Sequence, residues 1–301
     1  MILLSLPRHE GLARALEALT GLERGRCRVE RFTNLELHAT IDTAVAGEEC
    51  LLLGATAPPD EDLLTTLLVA HTLAKEGARS VTALIPYLGY ARHDKAGRGR
   101  SLGAAWIGGL LDASRVDEVV TIDVHSPLVA HLFPIPVRSL SPAELFAAEI
   151  AALGARDATV VAPDEGALDR SEAVRVAAGI AHPVAYFVKR RTDTGVVHVS
   201  LRGAVGRRAI VVDDILDTGG TLVSACAALR QAGVEDITVM VTHGVFTGTR
   251  WQALWSLGVG RIYCTDTCAL APALASLPIT VRSVAPLVAA HVTTPATAKT
   301  G

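Results

Sequence analysis

The sequence predicts an α/β fold of mostly parallel sheets flanked by helices, divided between two domains. Three observations carry that prediction. Short β-branched or aliphatic runs recur, each followed by a polar or Gly-rich break and then a helical stretch of Ala, Leu and charged residues. Several of these runs are apolar on both faces, as strands covered by helices on each side must be. The alternation is interrupted by a Pro-containing segment over 133–142 and then begins again.

In chain order, Met1 to Pro7 reads as a first strand. Strands over 49–54, 80–86 and 118–122, with helices over 60–76 and 102–113, make the first series. Helices over 141–153, 169–178 and 221–232 alternate with strands over 159–162, 185–188, 209–212 and 237–242 to make the second. The domain boundary falls in the segment between them, giving a first domain over 1–139 and a second over 140–282.

With 301 residues, half of them hydrophobic, the chain can bury a full core. Lys and Arg number 28 against 31 Asp and Glu, without a long run of either sign, so no diffuse basic surface exists to hold nucleic acid. Phosphate recognition, where it occurs, is expected to be local. The opening residues lack a basic leader and a small-residue cleavage site and are too short to span a bilayer, so no membrane partner is expected. The five cysteines are odd in number and scattered, which suits a reducing cytoplasm. Cys264 and Cys268 are near each other, but no second pair completes a zinc site, and they read as two packed thiols.

The sharpest signal is Ile210-Val-Val-Asp-Asp-Ile-Leu-Asp-Thr-Gly-Gly-Thr-Leu222: a buried strand, two adjacent carboxylates, a glycine-bearing loop and a helix beginning near Thr221. Backbone N–H groups from Asp217 through Thr218, Gly219 and Gly220 to Thr221, with the two threonine hydroxyls, can wrap a phosphate at the positive end of that helix. Asp213 and Asp214 stand one loop-length back, where they can accept hydrogen bonds from vicinal hydroxyls of a ribose. A phosphate and a diol together describe ribose 5-phosphate. A plain helix cap would explain one Asp and one Thr and leave the second Asp and the glycine pair idle.

Other residues read more than one way alone. Arg92 beside Asp94 offers a cation to triphosphate oxygens, or is a surface ion pair. His125, two residues after Asp123 at a strand end, suits a divalent ion or a core position. Asp164 follows another apolar strand, so three strand ends deliver acceptors to the edge where open α/β sheets bind ligands. Lys189-Arg190-Arg191 is a solvated loop, or supplies cations to a transferring phosphoryl group.

The 210–222 segment resembles the phosphoribosyl-diphosphate-binding loop of type I phosphoribosyltransferases and ribose-phosphate diphosphokinases. Taken in order with Pro86-Tyr-Leu-Gly-Tyr-Ala-Arg-His-Asp-Lys95, Thr121-Ile-Asp-Val-His-Ser126, Ala162-Pro-Asp-Glu-Gly166, Val188-Lys-Arg-Arg191, Thr242-His-Gly-Val-Phe-Thr-Gly248 and Val284-Ala-Pro-Leu-Val288, it is similar to the ribose-phosphate diphosphokinase (phosphoribosyl diphosphate synthetase) family over nearly the whole chain. That resemblance implies two tandem phosphoribosyltransferase-like domains, with the last strand and helix, over 283–301, returning to the first. It implies transfer of the diphosphoryl group of MgATP to ribose 5-phosphate, with Mg2+ contacted by His125 and Asp164. Lys189 and Arg191 would be catalytic, Arg92, His93 and Asp94 would line the ATP site, and Phe32, Asn34 and Glu36 would meet adenine. A homo-oligomer with the ATP site between neighbouring chains is also implied.

The family's adenine segment usually reads Arg-Phe-x-Asp-Gly-Glu, whereas here it is Arg31-Phe-Thr-Asn-Leu-Glu36. Asn34 replaces an acid and Leu35 a glycine, so a charge is gone and the backbone loses freedom. His93 stands where the family generally has Gln. Two rival readings remain at this stage: a phosphoribosyltransferase that consumes the same product, and a noncatalytic homologue that binds ribose phosphates.

Overall fold

A computed structural model describes residues 1–191 and 197–293, and of 189–191 and 197–199 the backbone alone. The chain divides into two compact units, one of Met1–Leu140 with the segment from Ala285 onward, the other of Ser141–Val284. Among the described residues no helix is long and apolar enough to cross a membrane.

The first unit runs β1 (Ile2–Ser5), α1 (Glu10–Thr20), β2 (Glu23–Arg24), β3 (Cys27–Arg31), β4 (Leu37–Ile41), β5 (Glu49–Leu53), α2 (Asp60–Lys75), β6 (Ser80–Ile85), α3 (Gly103–Ala113), β7 (Glu118–Ile122), α4 (Leu128–Leu132) and β8 (Val137–Leu140). Its sheet has the order β2-β1-β5-β6-β7-β8, with every pairing parallel. Leu51, Leu52 and Leu53 of β5 are all buried, because helices cover both faces of a parallel sheet. Helix α2 begins with Asp60, Glu61 and Asp62 and ends on Lys75, a charge order that complements its dipole. Helix α1 stops at Gly21, whose left-handed conformation sends its N–H to the Glu17 carbonyl at 2.9 Å. Strands β3 and β4 form a separate antiparallel hairpin that the sequence pattern did not indicate.

The second unit runs α5 (Ala143–Ala152), β9 (Thr159–Ala162), α6 (Leu168–Ala177), β10 (Ala185–Arg191), β11 (Val197–Arg202), β12 (Arg208–Leu216), α7 (Gly220–Gln231), β13 (Asp236–Gly244), α8 (Ala253–Ser256), β14 (Val259–Thr265) and β15 (Ile279–Arg282). The sheet order is β11-β10-β9-β12-β13-β14-β15, parallel except for the β10–β11 pair. The apolar run of β12 serves two cores at once. Ile210 and Val212 join Phe146, Ile150 and Val174 on one face, while Val211 joins Leu222, Leu229 and Trp251 on the other.

Helix α9 (Ala285–Thr293) completes the first unit by packing on α1. The expectation that a last strand returns with it is corrected: β15 stays in the second unit, paired with β14 from Ile262↔Ile279 to Thr265↔Arg282. Its Arg282 also binds Glu149 of α5 through Nη2 and Oε2 at 2.8 Å.

Val288 on α9 is fully buried, whereas Val176 on α6 is 61% exposed. Val288→Ala is expected to destabilise the first unit by about 2 kcal/mol in urea unfolding, and Val176→Ala by under about 0.5 kcal/mol. Equal effects of the two would show that α9 does not seal that core.

Candidate functional site

In the second unit the site grows from two adjacent strand ends. Strand β12 pairs with β9 on one side and β13 on the other, and it runs past the predicted 209–212 to Leu216. Asp213 and Asp214 are therefore held within the strand rather than in the loop that follows it. Asp213 Oδ1 accepts the Asp214 amide N–H at 3.0 Å, and Asp214 is buried. Burial pushes the Asp213 carboxyl well above the usual carboxylate range, and the neighbouring charges of Asp214 and Asp164 push it further, against a smaller pull from Arg170. Asp213 is thus held toward its protonated form, and hydroxyl donors or a cation beside it would favour release of that proton.

Asp164 follows β9 in extended conformation, and its Oδ1 accepts the Gly166 amide at 3.1 Å, capping the turn Glu165–Ala167. After β12 comes the loop of Asp217 and Thr218, then Gly219 at φ +82°, then α7 from Gly220. A side chain at Gly219 is forbidden twice, because its Cβ would lie 2.6 Å from Trp251 Cβ and 2.7 Å from Trp251 Cα. Thr221 sits in the first turn of α7, whose leading N–H groups lack intrahelical partners by construction and face an incoming anion. The loop is tied from behind: Thr247 N–H donates to the Asp217 carbonyl at 3.1 Å, and Val245 and Phe246 donate to that of Leu216 at 3.0 and 2.9 Å.

In the first unit the strands β6 and β7 carry the other assigned residues. After β6 the chain turns through Gly89, where a Cβ would meet Ala57 Cα at 2.7 Å, and Tyr90, which adopts φ +64°. The turn is braced by Tyr90 Oη donating to Asp60 at 2.8 Å and His93 N–H donating to the Tyr90 carbonyl at 3.0 Å. Arg92 and His93 are exposed at its tip, and Asp94 is buried. After β7, Asp123 takes φ +45° and gives its N–H to the Leu140 carbonyl, leaving His125 half-buried two residues on.

Phe32, Asn34 and Glu36 lie at the β3–β4 hairpin tip, where Phe32 N–H donates to the Glu36 carbonyl and Asn34 Oδ1 accepts the Glu36 N–H at 3.2 Å. Helix α2 links hairpin and turn, since its Glu61 pairs with Arg31 at 2.9 Å while its Asp60 holds Tyr90. In the second unit the structure brings Asp164 close enough to Asp213 and Asp214 for their charges to interact, while in the first unit the 32–36 hairpin, the 90–94 turn and His125 sit on separate turns. Lys189 and Arg191 belong to β10 by their backbone pairing, and their side chains lie outside the described residues.

Arg170, Tyr90, Asp60 and Arg250 escaped the sequence reading. Tyr90 lay inside the 86–95 motif without being singled out, and Arg250 stood two residues beyond the 242–248 motif. Among the described residues no cluster of three or more His, Cys, Asp or Glu side chains is shaped to hold a metal alone. Asp164, whose charge acts on Asp213 at the end of β12, is a carboxylate of the kind Mg2+ takes, since that ion binds through one or two carboxylates together with substrate phosphates rather than in an all-protein cage.

Comparison with known proteins adds a family. Residues 1–114 match the profile of the N-terminal domain of ribose phosphate pyrophosphokinase, and residues 138–251 match a phosphoribosyl transferase domain. The chain is 36% identical to a ribose-phosphate pyrophosphokinase of Granulibacter bethesdensis over 92% of its own length and 91% of the relative's. It is 30% identical to one of Bacillus caldolyticus over 97% and 93%. A crystal structure of phosphoribosylpyrophosphate synthetase from Mycobacterium smegmatis superposes with a TM-score of 0.86 at 28% identity, covering 97% of both chains.

The raised carboxyl of Asp213 fixes the sign of a pH effect. Below roughly pH 4 the group is neutral folded or unfolded and costs nothing. As pH rises above that unfolded value, the folded state carries a penalty that grows until its own higher pKa is passed. Asp213→Asn is therefore expected to gain on wild type in melting temperature as pH rises above about 4, in metal-free buffer. A difference that stays constant with pH would refute the shift.

Proposed function

The chain belongs to the ribose-phosphate pyrophosphokinase family, and from that premise we infer that it transfers the diphosphoryl group of MgATP to the anomeric oxygen of ribose 5-phosphate, giving phosphoribosyl diphosphate and AMP. The observation that carries this reading is the combination, at the end of one central strand and in the loop that leaves it, of a glycine-clamped anion cradle with two adjacent carboxyl groups, the first of them held toward its protonated form. A phosphate and a cis-diol are what that combination recognises.

In this reading the 5-phosphate lies on the amides of Asp217, Thr218, Gly219, Gly220 and Thr221. Asp213 and Asp214 accept hydrogen bonds from the ribose hydroxyls and fix the ring so that the anomeric hydroxyl attacks the β-phosphorus in line. The anomeric oxygen gains the new bond to phosphorus and gives its proton up to solvent, the bond between the β-phosphorus and its bridge to the α-phosphate breaks, and AMP departs with the bridging oxygen. His125 and Asp164 are the residues that would hold Mg2+ with the triphosphate, and the ion would supply charge neutralisation on the phosphoryl oxygens. Lys189 and Arg191 add cations where negative charge develops. Arg92, His93 and Asp94 bind the nucleotide phosphates, and Phe32, Asn34 and Glu36 meet the base.

A homo-oligomer is part of the proposal. Phe32 and Leu35 are 53% and 69% exposed at the hairpin tip, an apolar edge suited to cover by a neighbouring chain and by a purine ring. Cytoplasmic residence is proposed as well, on the strength of five free thiols.

The test is phosphorus NMR of pure protein with ribose 5-phosphate and MgATP, then with other triphosphates. Phosphoribosyl diphosphate and AMP are expected in equal amounts. Nucleotide left intact at high magnesium would point to a noncatalytic homologue, and diphosphate released only with an added base would point to a phosphoribosyltransferase. Lys189→Ala is expected to lower kcat by about 100-fold or more while leaving ribose 5-phosphate affinity within about twofold. Undiminished turnover in that variant would remove the lysine from the mechanism.

A further inference from the structure

Beyond the loop that supplies backbone donors, one guanidinium stands against the anion cradle with no role in anything described so far. After β13 the chain folds back over the β12–α7 loop, fastened by the bonds from Val245, Phe246 and Thr247 to Leu216 and Asp217. Trp251 is its anchor: fully buried, edge-on to Phe246 at 4.9 Å between ring centroids, with its indole N–H given to the Gly248 carbonyl at 3.1 Å. The Trp251 backbone fills the space where a Gly219 side chain would be, which sets the preceding residue, Arg250, over Gly220. There the Arg250 Nη1, Cζ and Nη2 atoms lie 3.3, 3.4 and 3.8 Å from the position a Gly220 Cβ would take.

Two features bear on what this arginine can do. Its side chain is exposed and has no carboxylate partner among the described residues, so its charge is not neutralised within the chain. It also lies at the positive end of α7, where a cation is disfavoured by the helix dipole. Two like partial charges held side by side by a buried tryptophan are unfavourable in the empty protein and become favourable once an anion lies between them.

We propose that Arg250 is a ligand of the 5-phosphate of the bound sugar, a charged donor that supplements the amides of residues 217–221. The proposal rests on the ribose 5-phosphate reading of that loop and deepens it: the cradle discriminates by charge as well as by shape. Guanidinium–phosphate contacts are charge-assisted and stronger than those of neutral amides, so removing one weakens binding of the phosphate-bearing sugar selectively.

The experiment measures ribose 5-phosphate affinity by calorimetry for wild type, Arg250→Gln and Arg250→Lys, with inorganic phosphate and unphosphorylated ribose as probes. Arg250→Gln is expected to weaken ribose 5-phosphate by about tenfold or more, Arg250→Lys by less, and any ribose binding not at all. Inorganic phosphate should weaken in parallel. The ligand-free melting temperature of Arg250→Gln should equal or exceed that of wild type, because the repulsion with the helix end is gone; a purely structural arginine would lower it.

Unchanged ribose 5-phosphate affinity in Arg250→Gln overturns the proposal, as does a loss shared equally by ribose. Turnover of the wild-type preparation is read separately. A wild type that binds ribose 5-phosphate through Arg250 yet releases no AMP fails the enzymatic reading alone. Active wild type with an indifferent Arg250 fails this inference alone, and a wild type that does not bind ribose 5-phosphate fails both.

Discussion

Everything at the candidate site depends on two carboxyl groups being kept side by side at the end of a strand buried between two helical layers. Left to themselves Asp213 and Asp214 would repel one another or turn to water, and Asp164 from the next strand adds to the repulsion. They stay because β12 is flanked by β9 and β13 and because its preceding residues are locked alternately into two separate cores. Burial of Ile210, Val211 and Val212, each worth about 1.5–3 kcal/mol, is the reservoir against which that electrostatic cost is set. A site of this kind belongs at the centre of a sheet, since an edge strand would relieve the repulsion by moving.

The same logic shapes both units, though the chemistry assigned to them differs. In each, the turn that leaves a central strand is pressed against the backbone of another segment so closely that only glycine fits: Gly89 against Ala57 in the first, Gly219 against Trp251 in the second. The close contacts make each turn rigid, and they leave its polar groups presented outward. Strain accompanies them, as the left-handed Tyr90 and Asp123 show in positions where a side chain is disfavoured. The Tyr90–Asp60 hydrogen bond and the edge-on contact of Tyr90 with Trp106 hold the first of these in place.

How much of this was legible in the sequence follows from how local each signal is. Strands β5, β6, β7, β9, β12 and β13 announced themselves because both their faces are buried, leaving uninterrupted apolar runs. The hairpin strands β3 and β4 and the outermost strands β8 and β15 did not. β3 alternates partly buried with exposed positions, and no residue of β15 is fully buried, so neither carries a run that stands out from loop. The anion loop was readable because twin Asp, glycine pair and threonines fall within nine residues, from Asp213 to Thr221. Arg250, by contrast, reaches that loop from beyond the end of β13, and Asp60 reaches Tyr90 from 30 residues away, so neither pairing leaves a local pattern. The extension of β12 to Leu216 was hidden for another reason: two aspartates look like the end of a strand, and only the ladder to β13, which pairs Ile215 with His243, keeps them in it.

The hairpin shows how the chain keeps a turn whose usual residues it has replaced. Where a glycine would enter the left-handed region freely, Leu35 enters it at φ +71° and accepts the strain. Backbone geometry survives because the turn is closed from several directions, by Leu35 N–H to the Phe32 carbonyl at 2.8 Å, by Phe32 N–H to that of Glu36, and by Asn34 Oδ1 from the Glu36 N–H. The last of these is a bond an aspartate would make equally well, so Asn34 preserves the shape of the segment while discarding its charge. The cost then falls on exposure, for the tip carries two large apolar side chains into solvent. A two-stranded ribbon tied to α2 by the Arg31–Glu61 pair gains little from keeping them there alone, and covering them by a further surface is the arrangement that turns both residues from a liability into binding area.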